Sequence, residues 1–157
     1  MNIERLKDIT HQVDLLVDGL GKEVDPGIKK AVIAFNYIGL PTIMSCEGHM
    51  DYGCPYPWIW VDDAEPGESY EATKIKNTNH HKRVLELIKS FYSKREMSFC
   101  SLQTTGINNY TGHFRVQSPN YTPRTDDIRA QLVVRNQEIL FALQKEMSDF
   151  ADYILTI

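Results

Sequence analysis

The sequence predicts one α+β domain, a two-layer sandwich in which about four helices lie against a mostly antiparallel sheet of about four short strands. Three observations predict this fold class. The 157 residues suffice for one ordinary domain, spanning residues 1–157, and are too few for two. The composition, 42% hydrophobic and 24% charged, is that of a globular protein with a core. The apolar patterns follow the order α-α-β-β-α-β-β-α along the chain.

Apolar residues recur every three or four positions near the N-terminus, which is the spacing of one buried helix face. A first helix is predicted to run as far as Gly19. A second helix is predicted to begin after Asp25, a good capping residue, with Pro26 tolerated in the first turn. Gly39 and Pro41 are expected to end it.

Two later helices are predicted from similar stripes. The third is expected to begin at Asn77 or Thr78, because both residue types cap helices and an acidic, solvated loop covers residues 62–71. The last helix is expected to open at Thr125, followed by two aspartates that suit the positive end of the helix dipole.

Four segments have the composition of strands, namely Thr42–Met44, Tyr56–Val61, Met97–Thr104 and Gly112–Ser118. Pro57 predicts that the second is an edge strand or that the proline holds an early strand position. The glycine- and asparagine-containing loop between the last two predicts a hairpin.

Charge and cysteine content restrict the class of protein. The 21 acidic residues outnumber the 17 lysines and arginines, for a net charge of -4, which argues against a surface that coats nucleic acid or adsorbs to membranes. No apolar run approaches the ~20 residues of a membrane span, and the charged N-terminus is unlike a signal peptide. Three irregularly spaced cysteines do not form a disulfide framework, so a cytoplasmic protein is expected.

The loop after the first predicted strand concentrates chemically useful side chains. A soft nucleophile, a base and two carboxylates fall within a few positions, beside a glycine that permits a tight turn, and loops at strand ends commonly carry functional sites. The candidate residues are Ser45, Cys46, Glu47, Gly48, His49 and Asp51.

The run S-C-E-G-H, followed by D-x-G-x-P-Y-P-W up to Trp58, resembles a family of small uncharacterised bacterial and phage proteins. The likeness extends to the Ile-Gly-Leu-Pro-Thr entry before the loop, to Gly112–Arg115 and to Glu146–Phe150. Cys54 falls at a variable position of the pattern. The S-C-x-G turn is also similar to one in wybutosine-type tRNA-modifying proteins, which have Arg in place of His49. The resemblance implies a shared loop and no particular activity.

One hypothesis for the loop is a thiol enzyme. Cys46 would attack a substrate, His49 or His113 would act as the base, and Glu47 or Asp51 would orient the imidazole.

A second hypothesis is a zinc-dependent enzyme, because Cys46-x-x-His49 has the spacing of metal ligands. Cys54 could be the third ligand, and the fourth could come from His80, His81, Cys100 or His113. The spacing alone does not define a metal site, since the chain has no second pair of this kind. The alternative is structural: a cysteine beside an apolar strand is commonly a small buried hydrophobe.

Alternation along the strands predicts an aromatic and basic face of the sheet. Two groups of side chains should point the same way, away from the aliphatic residues: Tyr56, Trp58 and Trp60 in one strand, and His113, Arg115 and Gln117 in another. Aromatic rings beside a guanidinium suit a flat anionic ligand. A homo-oligomeric interface covering the tryptophans is the other interpretation.

The leading prediction is therefore a small-molecule pocket for a nucleotide-like or other anionic ligand. The segment from Ser45 to His49 would form the pocket floor, Trp58 a wall, and Arg115 the anion-binding group, with His113 beside it. The thiol or zinc enzyme and the homo-oligomeric interaction protein are the alternatives, and no cofactor is identified.

Overall fold

The structure is a computed structural model, which describes residues 2–118 and 136–157. Its elements in chain order are helices α1 (Ile3–Asp14) and α2 (Pro26–Tyr37), strands β1 (Thr42–Cys46) and β2 (Trp58–Val61), helix α3 (Tyr70–Phe91) with a short 3₁₀ turn (Tyr92–Lys94), strands β3 (Gln103–Thr105) and β4 (Phe114–Gln117), and helix α4 (Gln137–Thr156). This confirms the predicted α+β fold class. None of the described helices is long and apolar enough to cross a membrane.

The strands form one antiparallel sheet in the order β1-β2-β4-β3. The β3–β4 pair is the predicted hairpin. Trp58 of β2 lies opposite both Cys46 of β1 and Gln117 of β4, and Trp60 lies opposite Arg115. Strand β2 is therefore an interior strand, and the edge-strand alternative for Pro57 was wrong. The proline immediately precedes β2, where it interrupts no ladder hydrogen bond.

One face of the sheet belongs to the main hydrophobic core. Ile59, Val61, Phe114 and Val116 are fully buried there, in one cluster with apolar residues of α2, α3 and α4. Because side chains alternate along a strand, the intervening residues of β2 and β4 point to the opposite face, as predicted. The helices thus form one layer and the sheet forms the other, with the core between them.

Several predicted boundaries differ from the structure. Among the strands, β1 extends to Cys46, β2 begins at Trp58, and β4 is limited to Phe114–Gln117. The first helix ends at Asp14, and the exposed Leu20 belongs to a turn that the Val17–Glu23 bridge closes. Helix α3 begins earlier than predicted, with Ser69 as its N-cap. The third strand is limited to Gln103–Thr105. The predicted start of the last helix at Thr125 lies outside the described residues.

Asn77 explains the wrong start of α3. Its side chain is fully buried inside the helix and bonds three backbone or side-chain groups elsewhere: it donates to Asp62 Oδ1 (2.7 Å) and to the Thr111 carbonyl (2.8 Å), and accepts from the Asp63 N–H (2.9 Å). Asparagine is a common helix-capping residue, but Asn77 instead makes hydrogen bonds to segments outside its helix.

Candidate metal centre

The start of α2 does not follow the simplest capping rule. Asp25 occupies the N-cap position, yet its side chain makes no capping hydrogen bond. Instead Glu47, from the loop after β1, accepts a hydrogen bond from the Gly27 N–H at 2.6 Å. A Cβ atom at position 27 would lie 2.5 Å from that carboxylate oxygen, so the glycine makes room for it. The Asp25 carboxylate is thereby left to face the loop.

Gly48 gives the loop its tight turn. Its φ of +85° is unfavourable for residues with a Cβ, and a Cβ there would lie 2.7 Å from Leu140 Cδ1 and 2.8 Å from the Tyr56 carbonyl carbon. The Gly48 N–H donates to Cys46 Sγ at 3.3 Å. The His49 N–H donates to the Cys54 carbonyl at 2.9 Å. These contacts bring the two ends of the Cys46-x-x-His49 segment together.

Two other elements hold the loop in place. From α4, Gln144 Nε2 donates to the Glu47 carbonyl at 2.9 Å. From the start of α2, Asp25 Oδ2 accepts from the Glu47 N–H at 3.3 Å. The loop is therefore bonded to α2 and α4, which pack on each other. These contacts hold its side chains in defined positions.

Three ligand-type side chains meet at this loop. One ligating atom from each of Asp25, Cys46 and His49 lies within 4.8 Å of the other two, and His49 Nε2 is 3.5 Å from Asp25 Oδ2. Tyr52 stacks on the imidazole, with ring centroids 4.2 Å apart. The three residues are half-buried rather than exposed. Asp25 was missed by the sequence prediction, since its position before Pro26 indicated only a helix cap.

The thiol of Cys46 lies in an unfavourable environment for a negative charge. Burial is the largest cause that raises its pKa, and the Asp25 carboxylate raises it further, while the hydrogen bond from the Gly48 N–H acts in the opposite direction. A reactive thiolate needs surroundings that lower the pKa. These surroundings favour the neutral thiol over the thiolate unless a cation lies beside it.

Other predicted members of the loop site lie apart from this cluster. Glu47 is engaged with α2, and Asp51 is exposed. Cys54 is outside the group of mutually close ligand atoms. Its side chain instead bonds Tyr56, a contact that contributes, after burial, to raising the pKa of Tyr56 to about 12.

The histidines and the cysteine considered as fourth ligands have other partners. His80 bonds Asp63 at 2.9 Å and His81 bonds Thr104 at 2.7 Å. Cys100 is buried in a separate small cluster that includes Leu143. None belongs to the close group of ligand atoms in the described part of the chain.

A cavity of about 300 Å³ adjoins the cluster. It lies between β1 and the segment that joins α1 to α2. Among its lining residues are Asp25 and Ser45, together with Lys22 and several apolar side chains. Trp58 and Arg115 are not lining residues, so this cavity does not join the loop to the aromatic face as the sequence hypothesis had it.

The aromatic face is formed by Trp58, Trp60, His113 and Arg115, as alternation predicted. Tyr56, also predicted there, precedes β2 and is buried in the small cluster with Cys100 and Leu143. The Arg115 guanidinium carbon lies 4.6 Å from the Trp58 ring centroid and 5.1 Å from that of Trp60. His113 stacks on Trp60 with centroids 4.9 Å apart. Gln117, at the end of β4, is fully buried.

No protein-family profile matches the chain, and no curated protein or solved structure matches it. The resemblance of the loop to small bacterial and phage proteins therefore stays a prediction.

Proposed function

We propose that Asp25, Cys46 and His49 bind a zinc ion and leave a fourth coordination position open to water or a substrate. The observation that carries this proposal is the convergence of their ligating atoms within 4.8 Å of one another. Zinc sites that perform chemistry commonly have three protein ligands and one open position.

The donor set favours zinc over magnesium and calcium. It offers one sulfur, one imidazole nitrogen and one carboxylate oxygen. Magnesium and calcium prefer oxygen donors, whereas thiolate and imidazole suit zinc. The cation would also reverse the local electrostatics, since a metal-bound thiol is deprotonated.

The surroundings support a role in catalysis rather than in holding the fold. The ligands come from a loop and a helix start that hydrogen bonds within the chain hold in place. Of the three proposed ligands, Asp25 lines the 300 Å³ cavity, which is large enough for a small molecule, whereas Cys46 and His49 do not line it. A zinc ion held by these residues would supply Lewis acidity and would lower the pKa of a bound water to about 7. A zinc-dependent enzyme acting on a small molecule is the function that follows.

We place this centre in the cytoplasm, because a thiolate ligand requires a reduced cysteine. The three cysteines Cys46, Cys54 and Cys100 are free in the structure.

Cobalt substitution tests the proposed ligands directly. With one equivalent of Co²⁺, the metal-free protein should develop a near-ultraviolet thiolate-to-cobalt absorption band. The C46S variant should lack this band, whereas C100S, which removes a buried cysteine outside the cluster, should keep it. Absence of a band in the wild-type protein, or an equal band in C46S, contradicts the proposal.

The C54S variant decides whether the fourth position is open. Because Cys54 lies outside the close group, we expect C54S to keep the zinc affinity of the wild-type protein. A loss of more than about tenfold would indicate a four-ligand, closed site of the structural type, which would contradict the catalytic role.

A further inference from the structure

The aromatic face contains hydrogen-bond donors that the fold does not use. Among the described residues, the Nε1 atoms of Trp58 and Trp60 are the buried side-chain nitrogen or oxygen atoms without a hydrogen-bond partner. Buried donors in native proteins are nearly always paired with protein groups, ordered water or an ion. Both of the chain's tryptophans lie at this one place.

Arg115 also has no carboxylate partner among the residues that the structure describes. Its hydrogen bond to Gln117 Oε1 is long at 3.4 Å, and no ion pair joins it to a carboxylate within residues 2–118 and 136–157. Arg95 provides the contrast, because it stacks on Phe91 and also contacts two carboxylates, those of Glu146 and Asp149. Arg115 lies over the Trp58 and Trp60 rings in the same way, but contacts no carboxylate among the described residues.

We propose that the face formed by Trp58, Trp60, His113 and Arg115 binds a small anion that carries a flat ring, of the nucleoside monophosphate class. The anion would accept hydrogen bonds from the guanidinium, which binds phosphate and carboxylate well. The ring would stack on the exposed parts of the aromatic side chains. This proposal rests on residues other than the three metal ligands and does not depend on zinc.

A small anion is favoured over other occupants by charge. The chain as a whole carries a net charge of -4, so a long polyanion would be repelled outside the immediate neighbourhood of Arg115. An apolar partner would leave the Arg115 guanidinium without an anion. A compact ligand with one charged end and one aromatic end matches both the guanidinium and the aromatic rings.

Intrinsic fluorescence is a selective probe, because both tryptophans of the chain belong to this face. We would titrate the protein with AMP, with adenosine and with inorganic phosphate, each in the zinc-loaded and the chelated protein. AMP is expected to change the emission and to bind at least tenfold more tightly than adenosine or phosphate alone. The result should be the same with and without zinc, which separates this test from that of the metal centre.

The variants R115Q and R95Q form a matched pair. Both remove a guanidinium that stacks on an aromatic ring. R115Q should weaken AMP binding at least tenfold and keep the thermal unfolding transition, whereas R95Q should leave AMP binding unchanged. Equal affinities in R115Q and the wild-type protein overturn the proposal.

Three further outcomes would also overturn it. An emission that neither AMP nor acrylamide changes would mean that the chain's own residues cover the face. A dimer in light scattering that buries the tryptophans would mean that a second copy covers it. A single-stranded oligonucleotide that binds more tightly than AMP at equal phosphate concentration would mean a nucleic-acid surface.

Discussion

At the start of α2, the residue at the N-cap position and the residue whose side chain binds the first turn are different acids. Asp25 stands at the helix N-cap and caps nothing, while Glu47, distant in sequence, binds the Gly27 N–H. A carboxylate near a helix N-terminus is stabilising whichever element supplies it. With the Gly27 N–H bonded to Glu47, the Asp25 side chain lies beside Cys46 and His49, where it is the third ligand of the proposed centre.

Substitution of Gly48 tests how strongly the loop depends on its backbone. G48A should lower the free energy of unfolding by at least about 2 kcal/mol, because a left-handed conformation and a clash with the Tyr56 backbone add together. Urea denaturation measures this. The control is G53A, where φ is also positive but a Cβ meets nothing within 4 Å; it should cost about 1 kcal/mol. Equal losses would contradict the steric part of the argument.

Helix α3 shows at the scale of elements how a polar residue connects distant segments. Asn77 joins the end of β2 to the turn before β4 through hydrogen bonds to Asp62, Asp63 and Thr111. Gly112 lies close to the same helix, since a Cβ atom at this position would be 3.3 Å from the Lys74 carbonyl oxygen. The helix therefore fixes the hairpin that carries Arg115.

The N77A variant should destabilise the protein by about 2–3 kcal/mol, since it leaves buried groups on both segments without partners. N79A is the matched control, because Asn79 is exposed on the same helix and its loss should change the free energy of unfolding by less than about 0.5 kcal/mol. Thermal or urea unfolding distinguishes the two. Equal effects would show that the hydrogen bonds of Asn77 contribute little.

At the scale of the whole molecule, the sequence predicted what depends on repeating patterns. Apolar spacing located the helices, and alternation placed Trp58 and Arg115 on one face. It could not predict that Glu47 reaches the start of α2 or that Gln144 holds the Glu47 carbonyl, because such contacts join residues far apart in the chain. Asp25 escaped notice for this reason, whereas Cys46 and His49 were found by their short spacing.

Acid stability follows from carboxylates whose pKa is lowered. Burial alone would raise the pKa of Asp63, but hydrogen bonds from His80 and Lys76 outweigh it and hold the pKa below its usual value. A lowered folded-state pKa stabilises the protein fully above the unfolded value of about 3.9, and this contribution is lost as pH falls through the lower folded value.

The D63N variant should therefore be less stable than the wild-type protein at pH 7, and the difference should shrink below about pH 4. Urea denaturation of the metal-free proteins across that range measures it. A difference that stays constant from pH 7 to pH 3 would contradict the assignment of this carboxylate.

Zinc stoichiometry is the most direct test of the central claim that Asp25, Cys46 and His49 form a metal centre. Elemental analysis after dialysis against metal-free buffer should find one zinc ion per chain in the wild-type protein and in C100S. C46S and H49A should each retain less than about a tenth of that amount, and D25N should retain substantially less than the wild type. A wild-type protein that holds no zinc when loaded at a stoichiometric ratio, or equal retention in C46S and C100S, would contradict the account.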